Sequence, residues 1–252
     1  MIHWTDLENH LKIHNFYIID NNKSKNIILF GNCHCLPIVY YLNMYLNKDY
    51  NFIVIVSWFY EKVFDKEKLE FINKSIMNYL YNCDVLIYQN HNSDFGINAS
   101  SVFNMVPYTC KKICIPNLML DFLSSRCNST NVYEMKACYE HSLERLHESI
   151  NNSNFKNFLF INQNINHIRF FNSIYHPTHF ILYLLSKNII FKIQNLDKVI
   201  TINDYWDNSI REDFLNINLE GFVFLPGKDD MELIHHQVTN INFGCDYFDI
   251  NF

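Results

Sequence analysis

The sequence predicts an α/β fold: a short parallel sheet with flanking helices and a largely helical C-terminal half. Short apolar runs typical of buried strands alternate with longer stretches whose apolar residues recur at the helical period. A strand, a helix and a second strand in succession favour a parallel pair with a right-handed crossover. We expect the strand order 2-1-3-4. The four predicted strands are 27–30, 52–56, 85–88 and 112–115.

Composition limits the possible classes of protein. The chain has 252 residues, of which 49% are apolar and 16% aromatic, so a sizeable core is expected and global disorder is not. A net charge of −6 argues against a broad nucleic-acid surface. We find neither a signal-like start nor a run near the ~18 apolar residues of a membrane span. With eight cysteines, this predicts a cytoplasmic protein with reduced thiols and no integral membrane segment.

The turn after the first predicted strand carries the candidate chemistry. Gly31 allows a tight turn, and Pro37 suits the first turn of a helix. Cys33 lies between the two, where free N–H groups favour a thiolate and can hold an oxyanion. We therefore interpret Cys33 as a candidate nucleophile with a lowered pKa and expect it to be the most reactive thiol. The helix is predicted from the spacing of Leu36, Val39, Leu42 and Leu46.

The remaining cysteines are interpreted structurally, because free cysteine often packs as a small apolar side chain. Cys35 is expected to pack, or to be a neighbour that could oxidise with Cys33. The spacing of Cys33, His34 and Cys35 does not favour zinc, and no second matching pair is present, so no metal is expected. The cysteines assigned to packing are Cys83, Cys110, Cys114, Cys127, Cys138 and Cys245.

A second polar cluster follows the third predicted strand, beginning with Gln89, Asn90 and His91. In open α/β sheets ligands bind beyond the carboxyl ends of the strands, at a point where the strand order reverses. The order 2-1-3-4 makes the loops after the first and third strands neighbours. His176 precedes a helix predicted to start at Pro177. We therefore expect Cys33, His91 and His176 to line one pocket; an ordinary solvated loop is the alternative for residues 89–94.

Other parts of the chain are less informative. A possible strand covers 16–19, and Asp65 is expected to cap a helix that ends near Leu80. Asn131 resembles a helix N-cap. The apolar residues of 155–171 fit both the helical and the strand period, so this segment is not assigned. The predicted division of the chain is an N-terminal extension, 1–25, a catalytic α/β core, 26–194, and an acidic segment packed on that core, 195–252.

Two short motifs resemble a known family. Gly31-Asn32-Cys33 after a strand resembles the Gly-Asn-Cys-Gln opening of WcbI-like acetyltransferases of capsular polysaccharide biosynthesis. His176-Pro177-Thr178 is similar to the His-Pro element of that family, and the resemblance spans roughly 26–190. His34 departs from it, since the family usually has Gln there. More distantly the layout resembles SGNH/GDSL esterases, but Ser173 stands where their acid would be.

The resemblance implies acetyl-CoA as donor and a sugar hydroxyl as acceptor. Cys33 would be the nucleophile or contact the thiol, and His91 or His176 would be the base. Oxyanion or substrate contacts would come from Asn32, His34, Gln89 and Asn90. The phosphates of coenzyme A would bind basic side chains near the carboxyl edge of the sheet. The candidates, chosen by their proximity in sequence to the predicted loops, are Lys111, Lys112, Arg126 and Arg169. A cysteine-dependent esterase and a non-catalytic binding module with structural Cys and His remain as alternatives.

Overall fold

The fold is described from a computed structural model and matches the predicted α/β class. A five-stranded, mostly parallel sheet is flanked by helices, which predominate in the C-terminal half. No helix among the described residues is long and apolar enough to cross a membrane. The structure describes residues 16–57, 64–65, 70–71, 74–89, 102–103, 105–120, 132–165, 170–173 and 176–217.

The strands are short and lie mainly in the first half of the chain. In chain order they are β1 (Phe16–Ile19), β2 (Lys25–Gly31), β3 (Tyr50–Val56), β4 (Phe64–Asp65), β5 (Glu70–Phe71), β6 (Cys83–Gln89), β7 (Lys111–Ile115), β8 (Phe171–Ser173) and β9 (His176–Pro177). The helices are α1 (Cys35–Leu46), α2 (Lys74–Tyr81), α3 (Val132–Asn151), α4 (Phe160–Asn164), α5 (His179–Ile193), α6 (Ile202–Tyr205) and α7 (Asn208–Leu215). A 3₁₀ helix, Lys156–Leu159, precedes α4.

The main sheet has the order β1-β3-β2-β6-β7. Its four parallel strands are the four predicted from the sequence, and the predicted order 2-1-3-4 is confirmed. β1 adds an antiparallel edge beside β3, with Phe16 opposite Ile55. The chain therefore leaves β2 toward β3 on one side and reaches β6 on the other, which places a topological switch point between β2 and β6.

Burial of the central strand explains its unbroken apolar sequence. The four residues from Ile27 to Phe30 have no exposed surface, as expected for a parallel strand covered on both faces. Ile27 and Leu29 pack into the core shared with α1 and α5. Ile28 and Phe30 pack into a second core against α2. The alternation of side chains along the strand thus joins the two layers of helices to one sheet.

Helix α5 lies parallel to α1. The Tyr41 hydroxyl lies 2.9 Å from Nδ1 of His179, and one turn further the hydroxyls of Tyr45 and Tyr183 are 3.4 Å apart. The two helices therefore run in the same direction, with His179, the first residue of α5, beside Tyr41 in the middle of α1. α5 is buried on nearly all sides, which explains why its sequence is apolar around the whole helix.

Two predicted helix starts are wrong. Asp65 lies in a strand, since Phe64–Asp65 pairs antiparallel with Glu70–Phe71, and α2 begins only at Lys74. Pro177 belongs to β9, and α5 begins after Thr178, whose side-chain oxygen accepts the N–H of Ile181. A threonine cap supplies an acceptor that proline lacks.

The predicted division into three parts stays a prediction. Rings of the C-terminal helices pack on α5, with Phe180 at 5.3 Å from Tyr205 and 5.2 Å from Phe214 between centroids. The predicted cap at Asn131 and the segments 1–15 and 218–252 lie outside the described residues.

Candidate functional site

The turn that holds Cys33 begins at Gly31, where a side chain has no room. A Cβ at Gly31 would lie 2.6 Å from Oε1 of Gln89 and 2.7 Å from Sγ of Cys35. Both neighbours are fully buried, so neither can retreat into solvent. The close approach of β2, β6 and the start of α1 therefore requires glycine at this position.

Gln89, the last residue of β6, ties this turn to the neighbouring strands. Its Oε1 accepts the backbone N–H of Asn32 at 2.6 Å, and its Nε2 donates to the Pro116 carbonyl at 3.4 Å. The amide thereby links the residue after β2 with the residue after β7. Gln89 was predicted to bind oxyanion or substrate; at rest its side chain holds two loops together, and the predicted role stays a prediction.

Asn32 fixes the conformation of the turn from within. Its Oδ1 accepts the backbone N–H of His34 at 2.9 Å, and its Nδ2 donates to Oδ1 of Asn117 at 2.8 Å and to Sδ of Met119 at 3.6 Å. The N–H of Asn117 in turn donates to Oγ of Ser149 on α3 at 2.7 Å. The side-chain donors of Asn32 are thus engaged, and its predicted contact with an oxyanion stays a prediction.

Cys33 is partly exposed in the first turn before α1, and its carbonyl accepts the N–H of Leu36 at 3.0 Å. Burial raises the pKa of its thiol to about 11, although hydrogen bonds from the backbone N–H groups of Cys33 and His34 act to lower it. The predicted lowering of this pKa is therefore wrong as a net effect. The N–H groups favour the thiolate as expected, but desolvation outweighs them.

The two neighbours of Cys33 toward the helix are buried. Cys35 has no exposed surface, and burial, followed by the charge of Cys33, raises the pKa of its thiol well above the ordinary value. This agrees with the packing interpretation of Cys35. His34 is 2% exposed, with its backbone N–H held by Asn32. Its predicted contact with substrate stays a prediction.

Several predicted site residues have no described position. Asn90, His91, Arg126 and Arg169 lie outside the described residues. The backbone of His176 lies in β9, paired with Ser173 and three residues before the start of α5. Whether Cys33, His91 and His176 line one pocket stays a prediction.

The two predicted lysines lie at the opposite edge. Lys111 opens β7 beside Val85, and its ammonium group donates to Oδ1 of Asn195 at 2.6 Å and to the Lys192 carbonyl. Lys112 places its ammonium group 5.1 Å from the centre of the Phe103 ring. Since a strand advances ~3.3 Å per residue, the length of β7 separates Lys111 from the carboxyl edge. Their predicted position near the candidate site is wrong, because they begin the strand that leads there.

The cysteines differ from the prediction in one respect. Cys138 on α3 is disulfide-bonded, so the expectation of eight reduced thiols is wrong for this residue. The free cysteines among the described residues are Cys33, Cys35, Cys83, Cys110 and Cys114. Within the described ranges no three His, Cys, Asp or Glu side chains form a group that could hold a metal ion.

Asn117 and Ser149 support the site and were not predicted. Asn117 follows the fourth predicted strand, so the signal that pointed to Gln89, a polar residue at a strand's carboxyl end, applies to it equally. Ser149 carries no such signal, since it is one polar residue within a long helix.

Comparisons with known proteins include a distant structural similarity. No known family model matches the chain, and no curated protein matches it. A solved structure of WcbI, described as a novel polysaccharide biosynthesis enzyme, is similar over 67% of this chain and 69% of that one, with 13% identity and a TM-score of 0.44. That protein was solved in its native form without a disulfide bond between coenzyme A and one of its cysteines. At this TM-score the likeness assigns neither a family nor an activity.

Proposed function

We propose that the chain is an acyltransferase that moves an acetyl group from acetyl-CoA to a sugar hydroxyl, in the biosynthesis of a surface or capsular polysaccharide. The observation that carries the proposal is the position of Cys33, which is partly exposed between the end of β2 and the start of α1, beside the switch point of the sheet. The donor and acceptor classes rest on the sequence resemblance of Gly31-Asn32-Cys33 and His176-Pro177-Thr178 to WcbI-like acetyltransferases.

This position suits thioester chemistry in two ways. The partial positive charge at the N-terminal end of α1 lowers the free energy of a thiolate on Cys33, and the Cys33 N–H can donate to the oxyanion that forms when a thioester carbonyl is attacked. Asn32 and Gln89 keep this turn in one conformation through the hydrogen bonds described above. The conformation of the turn is therefore set before substrate binds, which limits reorganisation during the reaction.

A thiol with a pKa of about 11 is almost entirely protonated at neutral pH, so attack by Cys33 requires a base. We assign that role to His91 or His176. In the first half-reaction the base accepts the Cys33 proton, the sulfur attacks the acetyl carbonyl, and coenzyme A leaves as a thiol after reprotonation. In the second the same base accepts the proton of the sugar hydroxyl, the oxygen attacks the carbonyl of the acetyl-cysteine, and Cys33 leaves and takes that proton back as a thiol. The same proposal has a second form, in which the acetyl group passes directly from coenzyme A to the sugar. Cys33 then only contacts the coenzyme A thiol and carries no acetyl group.

Mass spectrometry and calorimetry test the proposal together. Acetyl-CoA should bind, and the peptide containing Cys33 should gain one acetyl group that an added sugar acceptor removes. Cys33→Ala should lose the acetylated peptide, while the matched control Cys114→Ala, in β7, should keep it. In direct transfer the sugar is acetylated without an acetyl-cysteine.

Three results separate this function from the alternatives. Release of acetate without a sugar indicates the cysteine-dependent esterase. Binding of a ligand with neither transfer nor hydrolysis indicates a binding module. Absence of a calorimetric signal with coenzyme A and acetyl-CoA at millimolar concentration refutes the acetyltransferase.

A further inference from the structure

A pair of free cysteines lies away from the candidate site with the sulfur atoms 3.6 Å apart. Cys83 begins β6, and Cys110 ends a turn just before β7, closed by its N–H donating to the Pro107 carbonyl at 2.9 Å. Both side chains are nearly buried, 3% and 6% exposed, and pack in the same core. The pair lies at the amino edge of the sheet, opposite to Cys33.

The backbone already holds these residues in a position suitable for a bond. β6 and β7 are adjacent parallel strands with Val85 opposite Lys111, so Cys83 and Cys110 each lie just before the paired segment. Adjacent strands are ~4.8 Å apart, close to the range of Cα separations that disulfides span. Shortening the sulfur separation to ~2.05 Å needs side-chain rotation and small shifts rather than rearrangement of the sheet.

The local electrostatics divide the two thiols into attacking and resolving partners. The hydrogen bond between the two thiols lowers the pKa of Cys110, and the charge of Lys112 lowers it further, against burial and the charge of Asp84. The same hydrogen bond, with burial, raises the pKa of Cys83. Access is also unequal: Cys110 ends the turn that carries Tyr108, whose side chain is fully exposed. When this short turn opens, a small reagent reaches the Cys110 thiol before it reaches the Cys83 thiol.

We propose that Cys83 and Cys110 form a redox site that a low-molecular-weight disulfide converts reversibly into an intramolecular disulfide. The Cys110 thiolate attacks one sulfur of the reagent, forming a mixed disulfide and releasing one reagent thiolate, which takes up the proton lost by Cys110. Cys83 then gives up its proton and attacks the Cys110 sulfur, and the second reagent thiol leaves with that proton. The two cysteines lose two electrons, and the reagent disulfide gains them.

Peptide mapping of the intact chain tests this site. The chain is incubated with oxidised glutathione, alkylated, and digested without reduction. The expected product is a peptide pair joined through Cys83 and Cys110, which is absent before oxidation and disappears after treatment with dithiothreitol. Cys83→Ala and Cys110→Ala should each lose this pair, and Cys114→Ala should retain it. A glutathione adduct on Cys110 without the joined peptides, or no change at either cysteine, overturns the proposal.

The melting temperature of the wild-type chain gives a second test, which needs no cysteine variant. The bond would join positions 27 residues apart, and it restricts the unfolded chain. The oxidised wild-type chain should melt about 5–10 °C higher than the untreated chain, and dithiothreitol at a concentration that spares the Cys138 disulfide should reverse the shift. A joined pair with an unchanged or lower melting temperature would mean that the bond forms only by distorting the sheet, and it would contradict the proposed site.

Discussion

Replacing Gly31 by alanine should destabilise the fold through two specific contacts. The new methyl group would lie 2.6 Å from Oε1 of Gln89, whereas ordinary contact begins at 3.4 Å, so the amide must move by about 0.8 Å. That movement disrupts its hydrogen bond from the Asn32 N–H, which is 2.6 Å long and buried. Cys35 Sγ, at 2.7 Å, is a second neighbour that the methyl group would meet.

The expected cost follows from these two effects. Losing a buried hydrogen bond costs about 1–3 kcal/mol, and overpacking a core costs about 1–3 kcal/mol. We therefore expect Gly31→Ala to lower the free energy of unfolding by about 2–6 kcal/mol, a large part of the ~5–15 kcal/mol that is typical of a domain. Urea unfolding followed by far-UV circular dichroism measures this difference.

A double-mutant cycle identifies the responsible contact. In a Gln89→Ala background the amide is gone, so Gly31→Ala should cost at least about 1 kcal/mol less than it does in the wild-type chain. The contact with Cys35 remains, and some cost should persist. An equal cost in both backgrounds, or a wild-type cost under about 0.5 kcal/mol, would refute the close approach as the reason for glycine.

Three further outcomes are expected. Iodoacetamide should label Cys33 slowly at neutral pH and about tenfold faster per pH unit up to about pH 11, since only the thiolate reacts; a plateau below pH 8 would contradict the raised pKa. Asn32→Ala should weaken coenzyme A binding in calorimetry, whereas Asn26→Ala, an equally buried asparagine at the other end of β2, should lower stability alone. Burial acts to raise the pKa of Asp213, but hydrogen bonds from Tyr183 and Lys187 hold it below the ordinary value; the stability lost in Asp213→Asn should therefore shrink as the pH falls below ~4. A loss that stays constant down to pH 2 would exclude this carboxylate as the source.

The sheet was predictable because its strands are buried on both faces. Such strands appear in the sequence as unbroken apolar runs, and the crossover rule then fixes their direction. Helix starts were less predictable, as Asp65 and Pro177 illustrate. The strand that contains Asp65 has only two residues, too few to show a pattern of alternating apolar side chains. Both Pro177 and Thr178 are acceptable near a helix start, so the sequence does not fix the residue at which the helix begins.

The candidate site was predictable in part for a similar reason. Cys33 follows β2 by two residues and Gln89 ends the adjacent strand β6, so strand order alone places them near each other. The pKa of Cys33 was not predictable, because it depends on how deeply packing buries the sulfur, and no local pattern records that. Lys111 shows the complementary error: nearness in sequence to a loop does not give nearness in space when a strand lies between them.

The hydrogen bonds that hold the Cys33 turn have a consequence for biosynthesis. They join residues 57, 85 and 32 positions apart, so the turn is secured only after β6, β7 and α3 have been assembled. Until then the Cys33 thiol is solvated and titrates near ~8.5, well below its value in the finished fold. A nascent or partly unfolded chain is therefore more easily alkylated or oxidised at Cys33 than the mature protein.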